Sequence, residues 1–311
     1  MGGGSDNMKI GLIDVDSHNF PNLALMKISA YHKLNGDDVS MYMSLFDYDK
    51  IYMSKVFTFT KDIKIKHDCT IEKGGTGYDL QKKLPEEIDN IYPDYSLYDI
   101  TDTAYGYLTR GCPRGCNFCI VSEKEGNKTK QLYKLSQFWN GQKNIKLLDP
   151  NITASINCIE LFNELAETKA YIDFTQGLDL RLLTENKVEA IKNIKVKRIH
   201  FAWDKFEDEK IIIENLKMFM NITGYNRSKI TVYVLTNFNT TFEQDLHRVY
   251  VLRDMNVIPY VMVYEKDNAD QKYKDLQVYT NSHYYIRAAK DFDDFMLWKN
   301  DKNYKKAGKL F

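Results

Sequence analysis

Apolar positions recur along this chain in two rhythms. Before residue 100, short apolar runs stand between polar stretches. Residues 9–15 fit a buried strand, and residues 39–43 and 50–56 read as two more. Leu25, Ile28 and Tyr31 share one helix face, with Pro21 where that helix starts and Gly36 where it stops. The KGGTG stretch at residues 73–77 predicts a loop with unusual backbone angles or close approach. LPEEIDNIYPDYSLYD follows, without clear periodicity, and reads as a linker crossing the surface.

From residue 104 the pattern is regular. Strand-like runs at 105–109, 145–148, 171–174, 198–201, 230–235 and 257–264 alternate with helical patterns. Ile156, Ile159 and Phe162 predict one helix face, Ile212, Leu216 and Phe219 a second, and Phe242, Leu246 and Val249 a third. Strand, helix, strand repeated in this way predicts right-handed crossovers and a parallel sheet. Six strands are too few for a closed eight-stranded barrel, so an open, partial barrel is expected. Pro259 places its last strand at an edge, because proline cannot donate into a central ladder. Residues 284–298 predict a helix packed over the open side.

In parallel α/β barrels, functional side chains sit at the C-terminal ends of strands. A cysteine loop follows the first barrel strand. Asp149, Pro150 and Asn151 follow the second, and Gln176, Asp179 and Arg181 the third. Asp204 follows the fourth, and Thr236, Asn237 and Asn239 the fifth. Five successive strand ends thus deliver polar groups to one rim.

Composition narrows the class. The 311 residues suffice for one large domain or two ordinary ones. A zero formal net charge gives no strong nucleic-acid signal and no broad attraction to anionic membrane. No run of about 18 apolar residues predicts a membrane span. The first residues, MGGGSDN, lack the apolar core of a signal peptide. Five cysteines, three of them clustered, suit a reducing compartment and a cytoplasmic protein better than a disulfide framework.

The clustered three are Cys112, Cys116 and Cys119, spaced C-x3-C-x2-C. Thiolates this close on one loop suit an iron–sulfur cluster held at three corners, its fourth iron free for another ligand. Gly111 and Gly115 let the loop bend around it. The alternative is a structural zinc site, which takes four ligands in closed coordination.

CPRGCNFC resembles the radical S-adenosylmethionine signature, C-x3-C-x-Φ-C, with Phe118 as the aromatic Φ. LTRGCPRGCNFCIVSEKEG and the later QGLDLR are similar to the subgroup with an N-terminal cobalamin-binding-like domain. The resemblance covers most of the chain. It implies a partial (β/α)6 barrel at residues 101–270, a small Rossmann-like domain and linker at 8–100, and a helical extension at 271–311. It implies that Cys112, Cys116 and Cys119 ligate a 4Fe-4S cluster whose open iron chelates S-adenosylmethionine. A flavodoxin or ferredoxin type donor would supply the electron. Cleavage would release a 5′-deoxyadenosyl radical that abstracts hydrogen from the substrate. Phe118 would pack near the adenine. Asp149 and Asn151 would handle the methionine amino group, although the superfamily's Gly-Gly-Glu is absent there. Arg181 matches the methionine carboxylate, and Gln176, Asp179 and Asn237 would hold ribose hydroxyls or substrate.

The subgroup's cobalamin fingerprint begins D-x-H-x-x-G. Asp16 and His18 fit it, but Pro21 occupies the glycine position, while Ser54 with Val56 and Gly74 with Gly75 only mimic its later elements. Cobalamin is therefore left open and not favoured, with His18 read as a loop histidine. The other histidines show no ligand spacing. Cys69 and Cys158 read as small buried hydrophobes; Trp139, Trp203 and Trp298 fit packing roles, with Trp203, beside Asp204, toward the rim. The chain reads as a radical S-adenosylmethionine enzyme of unidentified substrate. Its alternatives are a cobalamin-dependent radical methyltransferase and a non-catalytic iron–sulfur or zinc module.

Overall fold

The computed structural model describes residues 7–17, 20–66, 68–282 and 284–301. The chain forms two compact units, Met1–Pro150 and Asn151–Phe311. It is a mixed α/β protein in which both units carry parallel strands.

In the first unit, β1 (Lys9–Asp14) is followed by α1 (Leu23–Leu34), β2 (Asp38–Met41), β3 (Lys50–Ser54) and β4 (Thr70–Gly74). They form a parallel sheet in the order β2-β1-β3-β4. The central strands β1 and β3 are apolar and almost continuously buried, as a sheet covered on both faces requires. Asn22 caps α1 by accepting from the Leu25 N–H. Leu25 and Ile28 then pack on Ile10, Leu12 and Tyr52. The opposite face holds Ile13, Ile51 and Met53, with Cys69 packed against them. β4 escapes the sequence pattern because its side chains are mostly exposed and lack apolar alternation. The loop expected at KGGTG begins at the end of β4. Gly75 has φ +92°, and a Cβ there would lie 2.5 Å from the Lys55 carbonyl oxygen.

The expected surface linker is more ordered than its sequence suggests. It contains α2 (Glu86–Asp89), whose Ile88 is buried, and a 3-10 turn at Tyr95–Tyr98. The buried Tyr95 hydroxyl donates to the Phe138 carbonyl at 2.7 Å. Periodicity missed it because one tyrosine and one isoleucine anchor the segment rather than a repeating face. β5 (Thr103–Gly106), β6 (Thr109–Arg110), α3 (Val121–Glu125), β7 (Lys130–Gln131) and β8 (Asn144–Leu147) complete the unit. β5 pairs with β8 in parallel, and β6 with β7 antiparallel.

The second unit runs α4 (Cys158–Glu167), β9 (Tyr171–Phe174), α5 (Glu185–Lys192), β10 (Lys195–Ala202), α6 (Glu209–Thr223), β11 (Ile230–Thr236), α7 (Phe242–Asp254) and β12 (Ile258–Val263). β9 to β12 are parallel neighbours in chain order. Ile212, Leu216 and Phe219 of α6 are buried as expected, and Phe219 meets Phe201 edge-on. Ile156 is different: it precedes α4 and is fully exposed, and Cys158, Leu161, Phe162 and Leu165 form the buried face. Trp203 takes the packing role expected of it. It is wholly enclosed, its indole N–H donating to the Lys205 carbonyl.

β12 is an edge strand, as Pro259 implies. α8 (Gln271–Asn281) covers that edge: Asn281 accepts from the Val261 N–H at 2.7 Å, and the Gln277 amide donates to the Val261 carbonyl at 3.1 Å. The expected single C-terminal helix is two, α9 (Tyr285–Ala288) and α10 (Phe292–Asn300). Ile286, Phe292 and Phe295 pack with Val249, Val261, Leu276 and Tyr279.

Candidate functional site

The cysteine loop is the insertion between β6 and β7. Its stem is closed by Glu125, which accepts from the Gly111 N–H at 3.1 Å and pairs with Arg110 at 2.7 Å. The Cys112 N–H donates to the Gly126 carbonyl, and the Thr129 hydroxyl to the Gly111 carbonyl. A turn from the Cys116 carbonyl to the Cys119 N–H, 2.9 Å, brings the last two cysteines round. Gly111 and Gly115 both have positive φ, +86° and +57°. Cys112 and Cys116 are half-buried, Cys119 is exposed, and none of the three forms a disulfide.

Three cysteines on one glycine-bent loop, none of them in a disulfide, fit a 4Fe-4S cluster in donor type and accessibility. Among the described residues, no group of three His, Cys, Asp or Glu side chains is gathered to hold a single metal ion. Phe118, expected near an adenine, is half-buried in the same loop.

Asp149 anchors the approach to this loop. Its carboxylate accepts from the Leu108 N–H, the Thr109 N–H and the Thr109 hydroxyl. Burial pushes its carboxyl up to about 6, against the pull of those donors. The side chain expected to meet a methionine ammonium is thus turned onto the residues that lead into the cysteines.

In the second unit, three expected residues come together. Arg181 donates from Nε to Asp179 at 2.8 Å and from Nη1 to Asp208 at 2.7 Å. The Asn151 amide donates to Asp179 at 3.4 Å, and the Thr153 hydroxyl donates to the Asn151 carbonyl oxygen at 2.6 Å. Burial opposes the Arg181 charge, but Asp179 and Asp208 outweigh it and raise its pKa. Its fork is already spanned by two carboxylates. Asp204, half-buried, has its carboxyl raised by burial, with Arg181 and Arg248 opposing.

Gln176 is exposed and lines a separate cavity with Thr175, Arg198, His200 and Tyr233. Asn237 takes φ +62°, donates its N–H to Asp245 and its amide to the Tyr264 carbonyl. Asp245 in turn pairs with the fully buried Arg248, which also donates to the Trp203 and Leu235 carbonyls. Residue spacing missed Asp173, Arg198, His200 and Tyr233. The available signal was their alternation along neighbouring strands, which sends them to one sheet face.

Of the subgroup's cobalamin residues, His18 lies outside the described residues, as do His67 and His283. Asp16 accepts from the Val56 and Phe57 N–H groups, and the Asn22 amide donates to the Ser54 hydroxyl. His32 is a core residue, bonded to Asp37 and the Tyr52 hydroxyl.

No protein-family model matches the chain, and no curated protein matches it. Solved structures do. The chain is similar to the radical S-adenosylmethionine methyltransferase TsrM from Kitasatospora setae with cobalamin and a 4Fe-4S cluster bound. The TM-score is 0.61 at 10% identity, over 83% of this chain and 75% of that one. The same enzyme with tryptophan substrate and the analogue aza-SAM gives 0.58 at 10% identity, over 83% and 73%. At this identity the likeness is one of fold.

Proposed function

We propose that this chain is a radical S-adenosylmethionine enzyme. The observation that carries the reading is the cysteine loop: three cysteines outside any disulfide, at C-x3-C-x2-C spacing, on a loop whose stem is closed by Glu125. The fold likeness supports it independently. Cys112, Cys116 and Cys119 would hold the 4Fe-4S cluster. When bound, that group supplies the electron that splits S-adenosylmethionine into methionine and a 5′-deoxyadenosyl radical, which takes hydrogen from the substrate. Asp149 keeps the loop entry in register. Asn151, Asp179 and Arg181 form a preorganised polar framework, and with Phe118, Gln176 and Asn237 they are the proposed groups around S-adenosylmethionine. A partial (β/α)6 barrel after a small Rossmann-like domain is the fold that belongs to this reading. A flavodoxin or ferredoxin type protein is its electron donor.

The likeness to a cobalamin-bound methyltransferase favours methyl transfer as the second reading. Against it, Pro21 stands where the subgroup's fingerprint has glycine, and Asp16 already accepts from the Val56 and Phe57 N–H groups within the first unit. We therefore route no step through cobalamin.

Anaerobic reconstitution with iron and sulfide, followed by dithionite and S-adenosylmethionine, tests the proposal. The expected result is 5′-deoxyadenosine well above a Cys112→Ala, Cys116→Ala, Cys119→Ala control. A cluster that forms without any cleavage would instead mark a non-catalytic iron–sulfur module.

A further inference from the structure

One face of the β9–β12 sheet packs Ile199 and Phe201 into the core. The other carries a cavity of about 530 Å³, within the range of small-molecule sites. His200 lines it. Its ring stacks on Tyr233 with centroids 5.3 Å apart and planes 2° from parallel, and Tyr233 meets Tyr260 edge-on at 5.7 Å. The backbone at His200 is also pinned. Its carbonyl accepts from the Leu178 N–H at 2.7 Å, and Gly177, at φ +86°, brings the chain so near that a Cβ would sit 3.2 Å from that oxygen.

Behind the ring stands Asp173, its Oδ1 3.8 Å from His200 Nδ1. Both atoms are enclosed, and neither has a hydrogen-bond partner among the described residues. Enclosed polar atoms are rarely left this way, because each loses its water for nothing. The gap lies just beyond hydrogen-bond reach. A proton on Nδ1, the nitrogen nearest the carboxylate, leaves the Nε2 lone pair as the ring's acceptor. Burial lowers the His200 pKa; Arg198 adds to the effect, while Asp173 and the Phe174 backbone oppose it, so the ring is neutral at neutral pH.

We propose that His200, oriented by Asp173, is the hydrogen-bond and proton acceptor for a small neutral substrate that presents an N–H or O–H group in this cavity. The substrate's donor atom keeps the bonding electron pair as its proton moves to Nε2. The imidazolium so formed is balanced by the Asp173 carboxylate, and no oxidant or reductant is needed. Ile258, Pro259 and Met262 give the apolar wall for the substrate's body. The inference names the substrate class for the radical reading and rests on it only for the hydrogen abstraction. The acceptor pair and its cavity stand on the second unit alone.

Nitrogen NMR of the full chain labelled with ¹⁵N-histidine tests the pair without cluster or cosubstrate. His200 is expected in the Nδ1–H form, with that preference lost in Asp173→Asn. Phenol and aniline serve as O–H and N–H probes, and toluene as the isostere with neither. Phenol and aniline should shift the His200 Nε2 signal and bind about tenfold more tightly than toluene, a margin that His200→Gln removes. An Nε2–H tautomer in the unaltered protein, or equal binding of all three probes, overturns the proposal. Reconstituted with iron and sulfide, the unaltered protein should also release 5′-deoxyadenosine; failure there would count against the radical reading alone, because the histidine signals and probe binding need neither cluster nor cosubstrate.

Discussion

Asp149 is 4% exposed and surrounded by three donors from Leu108 and Thr109, yet burial still dominates its titration. A carboxyl raised from 3.8 to about 6 on folding binds its proton more tightly in the native state. Its contribution to stability is therefore full below about pH 4 and is lost as pH rises through about 6. The size of that loss is about 3 kcal/mol, at 1.36 kcal/mol for each pKa unit. Asp149→Asn keeps an acceptor for Thr109 and removes the ionisation. Urea unfolding at pH 4.5 and pH 7.5 should show the unaltered protein losing more stability between the two than the variant does. Equal slopes would mean that the carboxyl does not titrate in this window. At the same scale, the charge of Arg181 is committed to Asp179 and Asp208, which makes it a brace for the QGLDLR turn as well as a candidate ligand.

At the scale of elements, the β6–β7 insertion shows why two glycines in one motif are not equivalent. Both take positive φ, which costs any other L-residue about 1–2 kcal/mol. At Gly111 a Cβ would also lie 2.3 Å from the Lys128 carbonyl oxygen, in the bend that leads into β7. At Gly115 nothing lies within 4 Å. Gly111→Ala must push the stem apart next to Cys112, whereas Gly115→Ala pays only the torsional term. The expected outcome is a clear fall in thermal midpoint and less than half the reconstituted iron per chain for Gly111→Ala. Gly115→Ala should remain close to the unaltered protein in both measurements. Similar losses in the two variants would show that close approach at the stem is unimportant. The same reasoning explains Gly177, whose contact with the His200 backbone positions the loop after β9.

At the scale of the whole molecule, the first unit has a parallel sheet whose strand ends are occupied by their own polar groups. Asp16, Ser54 and Asn22 bond to one another's loops, and Gly75 abuts the Lys55 carbonyl. Incubated with hydroxocobalamin and passed through gel filtration, the protein should emerge without corrin absorbance; a stoichiometric corrin spectrum would reverse that reading. No helix among the described residues is long and apolar enough to cross a membrane. The alternation of strands and helices after residue 104 was legible in the sequence, because burial on one helix face or in a covered strand imposes a local period. The cysteine spacing was legible for a similar reason, since ligands on one short loop are adjacent in sequence as well as in space. β4 was not, because an edge strand can be polar and is recognised by its neighbour's backbone. The inward turn of Asp149, the exposure of Ile156, and the meeting of Asp173 with His200 across two strands were likewise settled only by tertiary structure. Chain-local chemistry thus determined the elements and the thiol loop, while the environment of each polar side chain came from packing between segments far apart in sequence.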